Sequence, residues 1–215
     1  QSTPPAESFS SVSAAYSLTC GVTTAEDVEC WGYDYFGESM PPTGSFISVS
    51  VGYLHTCGIT TTNEVVCWGI DDGTQGYDFG QVTTTPTGSF TSVSAGKYHT
   101  CGIKTTDEVA CWGSDTDGKS SPPAGSFVSM NAGRYHTCGV TTTGDVQCWG
   151  IDDYGQVTDS PSTFSQIDSS TTHTCAVTNS GKVNCWGDDS SGQATPPTGS
   201  FTSVSLGNYH TCGIT

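Results

Sequence analysis

Eleven cysteines and five histidines recur at fixed spacings along this 215-residue chain, and sulfur chemistry is the first possibility those spacings raise. Ten of the cysteines fall in pairs ten residues apart: Cys20/Cys30, Cys57/Cys67, Cys101/Cys111, Cys138/Cys148 and Cys175/Cys185. Cys212 is left over. His55, His99, His136, His173 and His210 each stand two residues before the first cysteine of a set, while Leu18 takes that place before Cys20. One imidazole and two thiolates are zinc ligands by type, but each set offers three ligands rather than four and lacks a Cys-x-x-Cys knuckle. Disulfide bonding is the better reading, because so many cysteines suit an oxidising compartment. The histidines then read as structural groups hydrogen-bonded within their own sheets.

Oxygen ligands and aromatics form the second set of candidates. Acidic pairs at Asp71/Asp72 and Asp188/Asp189 are weak Ca²⁺ candidates. Aspartates in Asp-x-x-Gly loops more commonly close a turn on their own backbone. The same loops carry Tyr33, Tyr35 and Phe36, then Tyr77 and Phe79, then Tyr154, none of them demanded by the repeat. With Asp71 and Asp72 these are the candidate recognition residues, because loop aromatics present large contact areas to partners or sugar rings. No catalytic residue is assigned: Ser, His and Asp recur throughout, and neither a nucleophile elbow, a phosphate loop nor His-Glu-x-x-His occurs. No cofactor is implied. Asn-x-Ser/Thr is absent, so Thr83–Thr87 and Thr195–Thr198, beside proline, are the plausible glycan acceptors.

These residues are placed by a tandem repeat. The first cysteines at 20, 57, 101, 138, 175 and 212 advance by 37, 44, 37, 37 and 37, and Phe9, Phe46, Phe90, Phe127, Phe164 and Phe201 keep step. Repeats begin near 8, 45, 89, 126, 163 and 200 within a single repeat domain spanning 1–215, the last truncated. One unit carries seven extra residues between Asp71 and Phe90. Each unit holds short β-rich runs bounded by Gly, Pro, Asn and Asp. The stretch from Cys175 to Cys185 reads as a hairpin in which Thr178 faces Lys182, with a three-residue loop ending at Gly181. Gly144, Asn63 and Asp107 suit the equivalent φ > 0 position; Glu26 suits it poorly. That register sets each cysteine opposite its partner, as a disulfide requires. It also sets Trp112 opposite Thr100, beside a small Gly102/Ala110 pair that leaves room for a ring. Trp31, Trp68, Trp112, Trp149 and Trp186 are therefore expected in the core between sheets. A sheet of 37 residues cannot bury both faces alone, so the units must stack. The expected class is all-β: a β-propeller of about six 37-residue repeats, the last blade incomplete.

The run Val-Ser-Ala-Gly-Lys-Tyr-His-Thr-Cys-Gly-Ile (93–103) followed by Val-Ala-Cys-Trp-Gly-Ser-Asp-Thr-Asp-Gly (109–118) resembles the regulator of chromosome condensation repeat. It is more similar still to the short-repeat bacterial form, which includes a secreted β-lactamase inhibitor protein. The resemblance covers the whole chain and implies a propeller, a fold that hosts many unrelated roles. Two departures stand out: a cysteine pair in each unit, and fewer than the usual seven repeats.

The ends and the charge complete the reading. Gln1–Phe9 matches Gln193–Phe201, and Thr215 matches Thr178, so a sixth unit lacks its turn, its Val-x-Cys-Trp-Gly strand and one loop. The absent strand holds the position that pairs with Cys212. The chain is a fragment, or another chain supplies the strand by β-augmentation, or the gap is tolerated. Five Lys+Arg against 21 Asp+Glu give a net charge of −16. Such a surface argues against nucleic acid and against anionic membranes. No apolar run is long enough for a membrane span. No basic-then-apolar leader opens the sequence, so an export signal has been removed or was never included. The expectation is a non-enzymatic glycoprotein, secreted, extracellular or at the cell surface. It acts as a structural subunit that self-associates, with filaments through the open blade edge as one form. The alternative is a module binding another extracellular protein or a glycan, including an enzyme inhibitor.

Overall fold

The computed structural model describes residues 3–73, 76–160 and 162–215. Each repeat is one antiparallel sheet. The first comprises β1 (Phe9–Ala15), β2 (Leu18–Thr23) and β3 (Val28–Gly32), and the second β4 (Phe46–Val51), β5 (His55–Thr60) and β6 (Val65–Gly69). The third comprises β7 (Phe90–Ala95), β8 (His99–Lys104) and β9 (Val109–Gly113), and the fourth β10 (Phe127–Ala132), β11 (His136–Thr141) and β12 (Val146–Gly150). The fifth comprises β13 (Phe164–Ser169), β14 (His173–Thr178) and β15 (Val183–Gly187); β16 (Ser203–Leu206) pairs with β17 (Thr211–Ile214) in a two-stranded sixth sheet. The fold is an all-β propeller with five full blades and a partial sixth. Two compact units divide the chain: Gln1–Thr105 with Ala110–Ser114, and Thr106–Val109 with Asp115–Thr215.

Local chemistry dictates each hairpin. Cys20 faces Cys30, Cys57 faces Cys67, Cys138 faces Cys148 and Cys175 faces Cys185. Disulfides join all four pairs, and a fifth joins Cys101 to Cys111. The turn residue beyond the second strand adopts positive φ in every hairpin, at Glu26 (69°), Asn63 (64°), Asp107 (66°), Gly144 (93°) and Gly181 (83°). Glu26 keeps this conformation despite its unfavourable side chain because its carbonyl accepts the Phe46 N–H at 2.7 Å. Asn63 serves Phe90, Gly144 serves Phe164 and Gly181 serves Phe201 in the same way. The turn therefore aims a carbonyl at the next repeat.

The room beside each cysteine is filled by phenylalanine rather than tryptophan. A Cβ placed on Gly58, Gly102 or Gly139 would stand 2.7 Å from Cδ1 of Phe46, Phe90 or Phe127, so those glycines exist to admit the ring. Tryptophan packs against the ring's edge, with centroids 6.0 Å apart for Phe46 and Trp68 and 6.1 Å for Phe127 and Trp149. Between sheets, Cys20, Val22 and Val28 pack against Phe46, Val51 and Trp68 of the following repeat, and Cys57, Ile59 and Val65 against Phe90 and Trp112. In the second unit Cys138, Val140 and Val146 pack against Phe164 and Trp186. The Cys20–Cys30, Cys57–Cys67 and Cys138–Cys148 disulfides thus lie in cores that two successive repeats share. Replacing both Cys138 and Cys148 by Ser should lower stability by about 2–3 kcal/mol, read as a fall in the denaturation midpoint under non-reducing conditions.

Candidate functional site

The loops following the Trp-Gly strands hold the predicted aromatics, and one residue sets their position. Glu38, Lys119, Gln156 and Gln193 each stand seven residues after their tryptophan, and Gln81 stands thirteen after Trp68 because of the insertion. All five are buried. The Glu38 carbonyl accepts both the Thr56 hydroxyl (2.9 Å) and the Trp68 indole N–H (3.0 Å) of the next repeat. Gln156 receives Thr174 and Trp186 alike, Lys119 receives Thr137 and Trp149, and Gln81 receives Trp112. The side chain of the same residue folds back onto its own loop. Glu38 Oε2 accepts from the N–H groups of Tyr35 and Phe36, Gln81 Oε1 from Phe79 and Gln156 Oε1 from Tyr154. Sequence reasoning missed these anchors; the signal was a Gly followed by a long polar residue, seven places after Trp in four of the five units.

Three histidines bond across to the next repeat, which the spacing did not lead one to expect: His55 Nε2 to Thr100 Oγ1 (2.7 Å), His136 Nε2 to Thr174 Oγ1 (2.8 Å) and His173 Nε2 to Thr211 Oγ1 (3.1 Å). His173 also bonds within its own repeat, as expected, through Nδ1 to Ser170 Oγ at 2.7 Å. Because the Thr174 hydroxyl donates to the Gln156 carbonyl at 3.2 Å, it must accept from His136, which fixes the Nε2–H tautomer. Burial lowers His55 to a pKa of about 4 and His136 to about 3, and it lowers His173 as well. Burial also raises Asp168 to about 6, against the backbone N–H groups of Leu206 and Ser169 that favour its charge.

The loop aspartates close turns. Asp34, Asp115, Asp152 and Asp189 each accept the backbone N–H of the residue five positions on. Asp189 also takes the Thr195 hydroxyl at 2.6 Å. Asp188 accepts from Ser190 N–H and Gln193 Nε2, and the Ser190 contacts hold it below the ordinary carboxylate range. Asp71 and Asp72 are exposed, and no group of three or more His, Cys, Asp or Glu suited to a metal occurs among the described residues. The Asp71–Gln81 segment includes Thr74 and Gln75, which lie outside the described residues. Cys212 is an exposed free thiol.

The recognition candidates divide between the units. In the first, Tyr33 (52% exposed) and Tyr35 (70%) stack with ring planes 2° apart, and Phe36 meets Tyr35 edge-on at 4.7 Å. Tyr77 and Phe79, both exposed, pack on Tyr98 at 6.3 and 5.4 Å. Tyr98 touches Tyr53, and Tyr53 touches Tyr16 at 4.6 Å. Lys97 Nζ stands over the rings of Tyr98 (4.5 Å) and Tyr53 (5.4 Å). Tyr16, Tyr53, Lys97 and Tyr98 went unrecognised in the sequence because they occupy the repeat's own first turn. That turn and the loop after Trp-Gly share one end of the sheet, since His55 pairs with Gly69. Tyr16, Tyr33, Tyr53, Leu54 and Glu38 line a depression of about 240 Å³. Tyr154, 56% exposed, belongs to the second unit.

Together these features define a disulfide-stapled, tandem-repeat β-propeller with aromatic loops at one end of its first three blades. The chain belongs to the regulator of chromosome condensation (RCC1) repeat family, whose model matches residues 46–76, 90–119, 127–156 and 164–193. No curated protein sequence matches the chain. Among solved structures it is similar to the ectodomain of the receptor kinase CR4 of Physcomitrella patens, with TM-score 0.80 and 23% identity, covering 98% of this chain and 60% of that one. The CRINKLY WD40 ectodomain of the Arabidopsis thaliana receptor kinase ACR4 gives 0.71 and 24%, over 87% of this chain and 67% of that one. Prp20p of Saccharomyces cerevisiae gives 0.72 and 13%, over 87% and 59%. These likenesses concern the fold. The chain spans about 60% of the moss ectodomain's length.

Acid should unfold the protein through its histidines. A folded-state pKa below the unfolded value means that the unfolded chain takes up the proton first. The stability is therefore whole above pH 6.5 and declines toward about 4 for His55 and about 3 for His136, by about 1.4 kcal/mol per pH unit for each. Asp168 has the opposite sign between about 6 and 3.8 and offsets part of the loss. Thermal unfolding at pH 7 and pH 5 should show the decline, and His136→Gln should make it shallower.

Proposed function

We propose that this protein is a non-enzymatic extracellular recognition module, and that the aromatic loop end of its first unit binds a basic partner protein. The observation that carries the reading is the run of rings from Phe79 and Tyr77 through Tyr98 and Tyr53 to Tyr16, with Tyr33 and Tyr35 beside the depression that Tyr16 and Tyr53 line. Exposed aromatic surface of this kind marks interaction sites, because large rigid rings contribute contact area at low entropic cost. The net charge of −16 favours a partner of opposite sign through long-range attraction. Five disulfides suit an oxidising, extracellular setting, and the two receptor-kinase ectodomains share the fold. Protein partners are in keeping with Prp20p, whose structure was described together with its binding to Gsp1p and histones.

A second reading, self-association through β17, is favoured by one observation. Cys212 lies exposed on a strand that pairs only with β16 among the described residues. Under that reading, size measurement shows polymers that a reductant or Cys212→Ser abolishes.

Selection of displayed peptides, with glycans immobilised in parallel, tests recognition. Basic peptides should be enriched by the protein and lost by at least about tenfold with Tyr35→Ser/Phe79→Ser, a variant expected to keep its unfolding temperature because both side chains are exposed. Enrichment of neutral sugars alone moves the assignment to a glycan-binding module, and enrichment that survives the double substitution places the binding surface elsewhere.

A further inference from the structure

We infer that Glu38 and the tyrosines around it form a site for an alkylammonium group, the head of a lysine side chain or of a quaternary amine. The inference deepens the recognition reading and rests on it. Glu38 is only 2% exposed, yet it lines the depression that Tyr16, Tyr33 and Tyr53 rim. Its Oε2 is engaged by two backbone N–H groups, while its Oε1 has no hydrogen-bond partner among the described residues. That oxygen is not among the buried atoms closed off from solvent, so it is open to pair with a cation that enters the depression.

The other repeats show what is unusual here. Gln81, Gln156 and Gln193 occupy the equivalent place, and each uses Oε1 to hold its own loop as Glu38 uses Oε2. The amide then supplies a donor where Glu38 has an acceptor. Gln81 Nε2 reaches the Tyr77 carbonyl and Gln193 Nε2 reaches Asp188. Holding the loop does not need an acid at position 38, since each glutamine does so through one N–H group where Glu38 Oε2 takes two. What the acid adds is a negative charge at the edge of a tyrosine-lined depression.

Rings and charge select the same ligand. An ammonium group is drawn to aromatic faces, and tyrosines with a carboxylate make a cage that a neutral group of equal shape cannot satisfy. The same row of tyrosines already receives one ammonium, since Lys97 stands over Tyr98 and Tyr53. The positions equivalent to Lys97 in the two preceding repeats are Tyr53 and Tyr16, so neither repeat supplies a lysine from that turn. None of the lysines and arginines is among the residues lining the depression.

The test is titration of the intact, disulfide-bonded protein with tetramethylammonium, n-butylammonium and the neutral isostere 3,3-dimethylbutan-1-ol, followed by amide chemical shifts. Both cations should shift Tyr33–Glu38 and Tyr53 saturably, and the alcohol should bind at least about tenfold more weakly. Tighter binding of butylammonium identifies a lysine head, and tighter binding of tetramethylammonium a quaternary one. Glu38→Gln should fold normally, because glutamine already fills this place in three repeats, and should weaken both cations by about tenfold. Tyr33→Leu, at an exposed ring, should weaken them several-fold. Equal binding of the alcohol, no saturable shift with either cation, or a folded Glu38→Gln protein of unchanged affinity overturns the assignment. Selected peptides that Glu38→Gln retains but Tyr35→Ser/Phe79→Ser loses would leave the recognition reading standing and remove this one.

Discussion

One carbonyl oxygen per repeat holds the architecture together. The residue seven places after tryptophan, at 38, 119, 156 and 193, or thirteen after Trp68 at 81, turns its backbone toward the next sheet and its side chain toward its own loop. Through that oxygen pass the threonine hydroxyl and, where the tryptophan strand is present, the indole N–H of the following repeat. Through the threonine passes the histidine of the repeat before. A buried polar knot of this kind tolerates little loss, because any member left unpaired in the low-dielectric core costs more than the bond it made. The disulfides and the Phe-Trp pairs build the apolar half of each junction, and the knot sets its register.

The knot also bears on the surface proposed for recognition. It pins the base of each post-tryptophan loop, so the tips vary without disturbing the junction. In the first unit those tips carry Tyr33, Tyr35 and Phe36, then Tyr77 and Phe79 on the longer loop. The first repeat departs most from the rest. Leu18 replaces the bridging histidine, Ala15 replaces the turn glycine, Tyr16 is held at φ 51°, and Glu38 replaces glutamine. These departures gather at one end of one blade, the end at which recognition is proposed.

Much of this was legible in the sequence because it is local. Cysteines ten positions apart, with Gly, Asn or Asp at the turn in four of the five units, favour one hairpin register, and that register brings the sulfurs together. The repeated Phe, Cys and Trp-Gly are all short-range consequences of one sheet. The histidines misled in part because their spacing relative to cysteine suggested a partner in the same repeat, which His173 has in Ser170, whereas the hydroxyls that His55 and His136 meet belong to the next repeat. Gly102 and its equivalents announced room for a ring without saying which, and the first strand delivered phenylalanine before tryptophan had a claim. Tyr16, Tyr53, Lys97 and Tyr98 were hidden inside the repeat's own pattern, and nothing in a linear reading distinguishes a conforming turn residue from an exposed one.

Repeat length, hairpin register, cysteine pairing, net charge and membership of an RCC1-type propeller follow from the amino-acid order, since each depends on contacts within about forty residues or on composition alone. The tertiary structure decided which side chains of different repeats come together: Glu38 in the depression that Tyr16, Tyr33 and Tyr53 also line, Lys97 over Tyr53 and Tyr98, His136 on Thr174. Those meetings are set by how one sheet stacks on the next. Stacking is governed by the fit of buried rings and the pairing of buried polar atoms, and neither has a fixed interval along the chain.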